Sequence, residues 1–263
     1  MGCSQSSQIP DPLRPSLRTR GQVDKKRICR LLAVCLLVAA VGGCGGRSRP
    51  RPSPYHSQHD NAELMSLLSS RAPVGLDKRW GGEVISRPEI EQFIRHYTST
   101  RRKFMQQALE RARYYQPVIE PILEKHGLPA ELSSVALVES GFNPIAESPS
   151  GAVGMWQMMK RTARSVGLSV GWFDDDRKDV EKSTEGAARY LVQLYKMFDS
   201  WPLAIAAYNG GMTRVRNAVR DAGTRDFFVL ADRGYFREET KDFVPKVYAA
   251  MVIMGAPERY GFD

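Results

Sequence analysis

The stretch that decides both the fold and the chemistry is residues 136–159, ALVESGFNPIAESPSGAVGMWQMM. An acidic residue, Glu139, lies in its apolar first part. The sequence SGFNP follows at once, and a glycine-spaced run then leads to Trp156 and Gln157. Acidic side chains are rarely fully buried among apolar neighbours unless they are paired, so the placement of Glu139 is the first question that the sequence raises.

The residues before Glu139 place it on the inward face of a helix. Pro129 suits the first turn of a helix, because its missing N–H has no helical partner there. Apolar residues then recur at the spacing of one helical face, at Leu132, Val135 and Ala136. Glu139 is the next position on that face, so the spacing predicts that its side chain points inward.

This helix ends just after Glu139, since Gly141 favours a helix C-terminus and Pro144 prevents continuation. The carboxyl group therefore lies near the negative end of the helix dipole. Burial and the dipole both disfavour its charged form, which predicts a raised pKa and an acid that donates a proton near neutral pH. The alternative is an exposed Glu139, or one paired with Arg161 or Arg164, and helical phase alone leaves both open.

The glycine-spaced run SGAVGMWQMM, residues 150–159, favours the acid. It is a poor phosphate loop, because no strand precedes it and no Gly-Lys-Ser/Thr follows. It suits the wall of a sugar cleft: glycines let the backbone approach a ligand, Gln157 offers a donor and an acceptor, and Trp and Met side chains offer apolar surface to saccharide rings. Taken singly, each of these residues is more often part of a core.

The rest of the chain from residue 61 is predicted to be helical, so the fold class is all-α. The predicted helices are 61–70, 88–115 (one long helix or two adjoining ones), 117–126, 129–140, 159–167, 180–199, 201–209, 211–222 and 238–255. Val229 and Leu230, with aromatic neighbours, are the one weak candidate for a strand.

Composition narrows the chemistry. The 263 residues carry a formal charge of +9, of which the first 43 residues hold +5 through seven Lys or Arg against two Asp or Glu. All four cysteines lie at or before Cys44, and the four histidines form no HExxH pair. These counts predict no disulfide beyond Cys44, no metal and no cofactor.

The N-terminal residues 1–43 are predicted to be an export signal. Basic residues at 25–30 precede an eleven-residue apolar run, 31–41, which is short for a membrane span. The sequence Val-Gly-Gly-Cys at 41–44 resembles a bacterial lipobox, in which Cys44 becomes the lipidated N-terminus. Plain secretion and a buried helix are the alternatives. Residues 44–60 are predicted to be a flexible tether, and Gly45 rather than Asp favours the outer membrane.

Two other patterns at the N-terminus are open to test. Residues 1–6, MGCSQS, fit the short myristoylation pattern, which the export signal behind it disfavours. The signal would have ordinary length if translation began at Val23, with residues 1–22 a misassigned start. Detecting residues 1–22 in the intact mass of the precursor would reject that hypothesis.

Residues 203–219, LAIAAYNGGMTRVRNAV, allow a different interpretation. Two helices joined by Gly210-Gly211 could form a helix-turn-helix, with Arg214, Arg216 and Arg220 reaching DNA. Export from the cytosol argues against this, and no nucleic-acid partner is predicted.

Together these segments resemble the lytic murein transglycosylases of the goose-type lysozyme-like fold, also called the soluble lytic transglycosylase-like fold. Four motifs match in order: Glu139-Ser140, GxxGxWQ at 151–157, AYNxG at 207–211 and ETxxxVPK at 239–246. Within this family, the amino-acid sequences of the segments most resemble those of the membrane-bound D-type enzymes. The resemblance covers roughly 100–263, and more weakly the chain from 60.

The resemblance implies a helical catalytic domain with a cleft at 128–263, and a helical region at 61–127 that packs on it. It implies that Glu139 serves first as acid and then as base on the bond between N-acetylmuramic acid and N-acetylglucosamine, giving 1,6-anhydromuramic ends. The residues expected to line the glycan cleft are Ser148, Gln157, Met159, Tyr208, Asn209 and Glu239. The partner implied is the glycan strand of peptidoglycan. The lipobox predicts attachment through Cys44 to the periplasmic side of the outer membrane. The protein is expected to be a monomer.

The sequence departs from the family pattern at a few points. Phe243 stands where Tyr is usual, and Met155 replaces a more common Leu or Ile. D-type enzymes often carry C-terminal LysM repeats, which are expected to be lacking after Asp263. Two rival functions stay open: a muramidase, which needs a second carboxylate such as Glu147 or one of Asp174–Asp176, and a non-catalytic peptidoglycan-binding lipoprotein.

Overall fold

The computed structural model describes residues 86–263, which belong to one compact unit. The export signal, the tether with Cys44 and the helix predicted at 61–70 lie outside the described residues. The helices are α1 Pro88–Thr98, α2 Arg102–Lys125, α3 Ser133–Ser140, α4 Lys160–Ser165, α5 Val180–Phe198, α6 Trp201–Gly210, α7 Met212–Ala222, α8 Phe227–Asp232 and α9 Glu238–Gly255. Short 3₁₀ turns cover Ala130–Leu132, Asp176–Lys178 and Pro257–Tyr260.

The all-α fold class predicted from the sequence is confirmed. A two-stranded antiparallel hairpin, which the sequence did not predict, joins β1 Ala152–Val153 to β2 Met158–Met159. Its strands are only two residues long, too short for an alternating pattern to show in the sequence. None of the described helices is long and apolar enough to cross a membrane.

The predicted helix boundary near residue 116 is wrong. The chain breaks at residues 99–101, and α2 then continues through Pro117 and Pro121. Each internal proline removes a hydrogen bond and disfavours the helix by about 3 kcal/mol. Burial offsets this cost, because Ile119 and Leu123 are fully buried and α2 packs along α5.

The suspected strand at Val229 and Leu230 is also wrong, because both residues belong to α8. Asp226 caps this helix: its Oδ1 accepts from the backbone N–H groups of Phe228 and Val229, at 2.8 and 3.1 Å. A side-chain cap of this kind starts a helix whatever the strand propensity of the residues that follow.

The core is organised around α9, which packs against α1, α3 and α6. Every residue from Phe243 to Ile253 except Lys246 is buried. Phe243, the departure from the family pattern, is among them. Helices before residue 128 and after it thus share one core, while the domain boundary predicted at 127–128 stays a prediction.

Candidate active site

Glu139 lies in the last turn of α3, as the sequence predicted. Gly141 follows with a left-handed φ of 61°, and its N–H donates to the Leu137 carbonyl at 2.7 Å. Val135 and Ala136 on the same face are fully buried, whereas Glu139 is half-buried. The helix therefore carries the carboxyl group to the edge of the core, where an outside molecule can reach it.

Burial, which is the larger effect, and the negative charge of Glu239 together raise the pKa of Glu139 to about 8. The raised pKa predicted from the sequence is confirmed, with burial as its main cause. A second contribution, which the sequence did not predict, comes from Glu239 at the start of α9. At neutral pH most of the Glu139 carboxyl groups are protonated, which is the form that donates a proton.

Ser140 fixes the end of α3 to the glycine-spaced run. Its hydroxyl donates to the Met155 carbonyl at 2.8 Å and accepts from the backbone N–H of Asn143 at 3.0 Å. The hairpin is thereby held next to the acid. The Glu-Ser pair was noticed in the sequence as a motif, but this role of the serine needs the folded chain to be seen.

Gly154 is needed for a reason that the sequence did not reveal. Its φ is 84°, and a Cβ atom there would lie 1.8 Å from the Arg177 carbonyl oxygen. The close approach predicted for this glycine is therefore to the protein's own backbone. Gly151 also has a left-handed φ, 87°, but nothing lies within 4 Å of its Cβ position.

Arg177 binds the backbone of the hairpin, a role that the sequence analysis did not predict. Its guanidinium donates to the carbonyls of Gly151 and Met158 at 3.2 and 3.0 Å. It also forms a two-pronged pair with Asp175, at 2.9 and 2.7 Å, which lowers the pKa of that carboxyl. The run Asp-Asp-Asp-Arg-Lys-Asp at 174–179 was the available signal, since an arginine close to several carboxylates can form a two-pronged pair with one of them.

Gln157 and Ser148 order the loop around the hairpin. Gln157 has a positive φ of 46°, and its amide nitrogen donates to the carbonyls of Ala146 and Gly154 at 3.1 and 2.8 Å. Its side-chain carbonyl keeps its acceptor capacity. The Ser148 hydroxyl accepts from the Ala152 N–H at 2.9 Å. Both side chains thus order the loop, whether or not they also touch a ligand.

Met159 differs from these two residues because it is open to solvent. It is 45% exposed at the end of β2, next to buried Met158. A flexible, polarizable side chain in that position offers an adaptable apolar surface.

Tyr208 joins α6 to the hairpin. Its hydroxyl donates to the Trp156 carbonyl at 2.7 Å, and the buried Trp156 indole donates to Thr184 Oγ1 at 3.0 Å. Burial, with smaller effects from Glu139 and Tyr190, raises the pKa of Tyr208 well above its usual value. The phenol is therefore neutral at physiological pH and lies within the electrostatic reach of the acid.

Asn209 and Glu239 come together through Thr240. The Thr240 hydroxyl donates to Asn209 Oδ1 at 2.8 Å. A Cβ atom on Gly210 would lie 2.8 Å from the same hydroxyl oxygen, so α6 and α9 approach closely here. Asn209 thus fixes the start of α9, where the exposed Glu239 acts on the pKa of Glu139.

Three of the four carboxylates considered for a muramidase have other partners, whereas the fourth, Asp174, is exposed and forms no ion pair among residues 86–263. Glu147 pairs with Lys178 at 2.6 Å, and Asp175 with Arg177. Asp176 accepts from Lys182 Nζ and from the backbone N–H of Ser169, at 2.8 and 2.7 Å. Among residues 86–263, no group of three or more His, Cys, Asp or Glu is arranged to hold a metal ion.

Comparison with known proteins finds relatives for part of the chain. Residues 116–230 match the family described as the transglycosylase SLT domain. The chain is 34% identical over 180 residues to membrane-bound lytic murein transglycosylase D of Escherichia coli K12, an alignment that covers 66% of this chain and 38% of that protein. It is also 34% identical over 112 residues to the F-type enzyme of Salmonella typhi, covering 39% of this chain and 22% of that one.

Solved structures give a similar set of proteins. Lytic transglycosylase Slt of Pseudomonas aeruginosa, solved as an inactive mutant, aligns at a TM-score of 0.47 with 27% identity, covering 55% of this chain and 24% of that one. The 70 kDa soluble enzyme of Escherichia coli aligns at 0.45 with 19% identity, covering 74% and 34%. The family match and the D-type and F-type relatives agree that residues 116–230 of this chain are similar to transglycosylase SLT domains.

Proposed function

We propose that this chain is a peptidoglycan lytic transglycosylase that cleaves the β-1,4 bond between N-acetylmuramic acid and N-acetylglucosamine. One observation carries the proposal: in an SLT domain, the half-buried Glu139 has a pKa of about 8 and is protonated at neutral pH. The relatives named above are called lytic murein transglycosylases, and this chain spans 38% of the length of the D-type protein.

The reaction needs one carboxyl group because the nucleophile belongs to the substrate. Glu139 donates its proton to the glycosidic oxygen, the C1–O bond breaks, and N-acetylglucosamine leaves with a free 4-hydroxyl. Glu139, now a carboxylate, takes the proton of the muramyl C6 hydroxyl as that oxygen bonds to C1. The product is a 1,6-anhydromuramic end, Glu139 is protonated again, and no water is consumed.

The residues around the acid have supporting roles. The negative charge of Glu239 keeps Glu139 protonated until substrate arrives, and it favours the positive charge that develops at C1. Tyr208, neutral and anchored on Trp156, keeps an oxygen lone pair for the sugar. Ser148, Gln157, Met159 and Asn209 line or order the glycan cleft.

A muramidase of the same fold is the weaker candidate. It requires a carboxylate that holds a water molecule on the far side of the sugar. Glu147, Asp175 and Asp176 are each engaged by a lysine or an arginine, and Asp174 is exposed to solvent. Glu239 is the carboxylate whose charge raises the pKa of Glu139. In a hydrolytic reaction, Glu239 is therefore the residue that would hold the water molecule.

The location follows from the same proposal. Residues 25–44 have the pattern of a lipoprotein signal, and the relatives named above are described as membrane-bound. We place the protein, as a monomer, on the periplasmic side of the outer membrane through a lipid on Cys44. A mass increase of the mature protein equal to a diacylglyceryl and an acyl group, lost in Cys44→Ala, tests the anchor.

The activity is tested by digesting purified peptidoglycan sacculi with the full chain and, in parallel, with Glu139→Gln. Soluble products are separated by liquid chromatography and weighed. Anhydro-ended muropeptides, lighter by one water than hydrolytic products and missing with the variant, support the transglycosylase. Reducing ends would indicate a muramidase. Sacculi that bind the protein and stay intact would indicate a binding lipoprotein.

A further inference from the structure

A groove of about 700 Å³ opens at the junction of α6 and α7. It has aromatic and apolar surface as well as polar groups. The residues used below are Tyr190, Met212, Arg214, Asn217, Asp221 and Tyr235. Mixed surface of this kind, apolar with a few placed polar groups, is typical of ligand sites.

The groove is next to the candidate active site. Tyr190, which lines it, packs against Tyr208 with the ring centres 5.5 Å apart. Gly210 also lines the groove, and its α-carbon lies close to Thr240, the neighbour of Glu239. The contact between Tyr190 and Tyr208 therefore joins the wall of the groove to the candidate active site.

The groove carries a cation with no partner. Within residues 86–263, the guanidinium of Arg214 makes no ion pair and no hydrogen bond, although the side chain is half-buried. The side-chain amide of Asn217 is likewise free of protein partners in that range. Among the described residues that line the groove, the one carboxylate, Asp221, is already paired with Arg220 at 2.8 Å.

A half-buried guanidinium without a protein partner is an open position for an anion. Its planar fork matches a carboxylate in two-pronged geometry, and such charge-assisted hydrogen bonds are the strong ones. Asn217 adds a neutral donor and acceptor on the same helix, one turn further on. Tyr190, Tyr235 and Met212 offer surface to the apolar faces of a sugar or a short peptide.

We propose that this groove is a second binding site, in which Arg214 and Asn217 hold a carboxylate of the peptidoglycan strand while Glu139 acts on its glycan. This inference rests on the proposed function and adds to it a preference for carboxylate-bearing substrate. The carboxylate has two possible sources, the stem peptide and, where the peptide has been removed, the lactyl group of the muramic acid.

Binding to the full chain carrying Glu139→Gln tests the site without turnover. Three ligands of matched length are titrated by calorimetry: glycan fragments with stem peptides, the same fragments after an amidase has exposed the lactyl carboxylate, and neutral chito-oligosaccharides. Adding Arg214→Gln is expected to lower affinity for a carboxylate ligand, relative to the neutral one, about tenfold. Arg216→Gln, an exposed arginine on the same helix that is not part of the groove, is the matched control and leaves the ratio as it was.

The outcomes separate the two proposals. A loss confined to peptide-bearing fragments assigns the site to the stem peptide, and a loss confined to amidase-treated fragments assigns it to the lactyl group. An equal change for all three ligands, no change, or the same change with Arg216→Gln overturns the groove inference. Binding without selectivity, together with anhydro products from the wild type, leaves the transglycosylase proposal standing. Selective binding without such products overturns the transglycosylase proposal instead.

Discussion

Glu239, in the first turn of α9, raises the pKa of Glu139 in the last turn of α3. The two carboxyl groups come from segments far apart in the sequence, and α9 packs directly on α3. Of the two effects on Glu139, burial is the larger and the charge of Glu239 the smaller. The arrangement keeps one carboxyl group protonated with a second, exposed one beside it.

The pH dependence of activity is expected to report this pair. The acid is lost as pH rises through the pKa of Glu139, about 8, so kcat/KM should fall on the alkaline side near that pH. Glu239→Gln removes a negative charge that raises this pKa, so the alkaline limb should move to lower pH. Initial rates on solubilised glycan strands from pH 5 to 10 measure it.

Glu238→Gln is the matched control for that experiment, because Glu238 is an exposed acid in the same turn that does not act on Glu139. The alkaline limb of the kcat/KM profile of Glu238→Gln should coincide with that of the wild type. An unshifted limb with Glu239→Gln, or an equal shift with both variants, would contradict the pairing of Glu139 with Glu239.

Stability should depend on pH through the same carboxyl group. Because the folded pKa of Glu139 is raised from 4.5 to about 8, its contribution to stability is fully present below pH 4.5 and is lost as pH rises towards 8. Glu139→Gln cannot ionise, so its melting temperature should match the wild type near pH 4 and exceed it increasingly up to pH 8. Thermal unfolding of both proteins across this pH range measures the difference in melting temperature. A difference that does not change with pH would refute the raised pKa.

The two left-handed glycines of the hairpin segment should respond differently to alanine. Gly151→Ala incurs only the backbone penalty of positive φ, about 1–2 kcal/mol. Gly154→Ala adds the clash with the Arg177 carbonyl, 1.8 Å from the new Cβ, for a total of at least ~3 kcal/mol. Denaturant unfolding of both variants measures the free energies, and equal losses would show that the contact between Gly154 and Arg177 does not constrain the hairpin.

Local sequence signals were enough to predict the placement of Glu139. Helical spacing put it on the buried face, Gly141 and Pro144 ended the helix, and these effects act within one turn of the residue. The order of the motifs was enough to indicate the family, which the match over residues 116–230 confirms. Both kinds of signal lie within short segments and do not depend on contacts between distant parts of the chain.

What depends on tertiary contact was not predictable in the same way. A side chain is excluded at Gly154 by the backbone of Arg177, and the hairpin is supported by the partly buried pair of Arg177 and Asp175. The uninterrupted α2 survives its two prolines because its apolar face packs on α5. Each of these features depends on a contact between two segments, and the periodicity of either segment alone does not predict that contact.

The most direct test of the account is to carry out the digestion in water enriched in the heavy oxygen isotope. If the C6 hydroxyl of the muramic acid is the nucleophile, newly formed ends contain no heavy oxygen, and Glu139→Gln yields no new ends at all. If water is the nucleophile, each new reducing end carries one heavy oxygen atom from the solvent at the moment of cleavage. Unlabelled anhydro ends that depend on Glu139 are the predicted result, and labelled ends that depend on Glu139 would contradict the single-carboxyl mechanism.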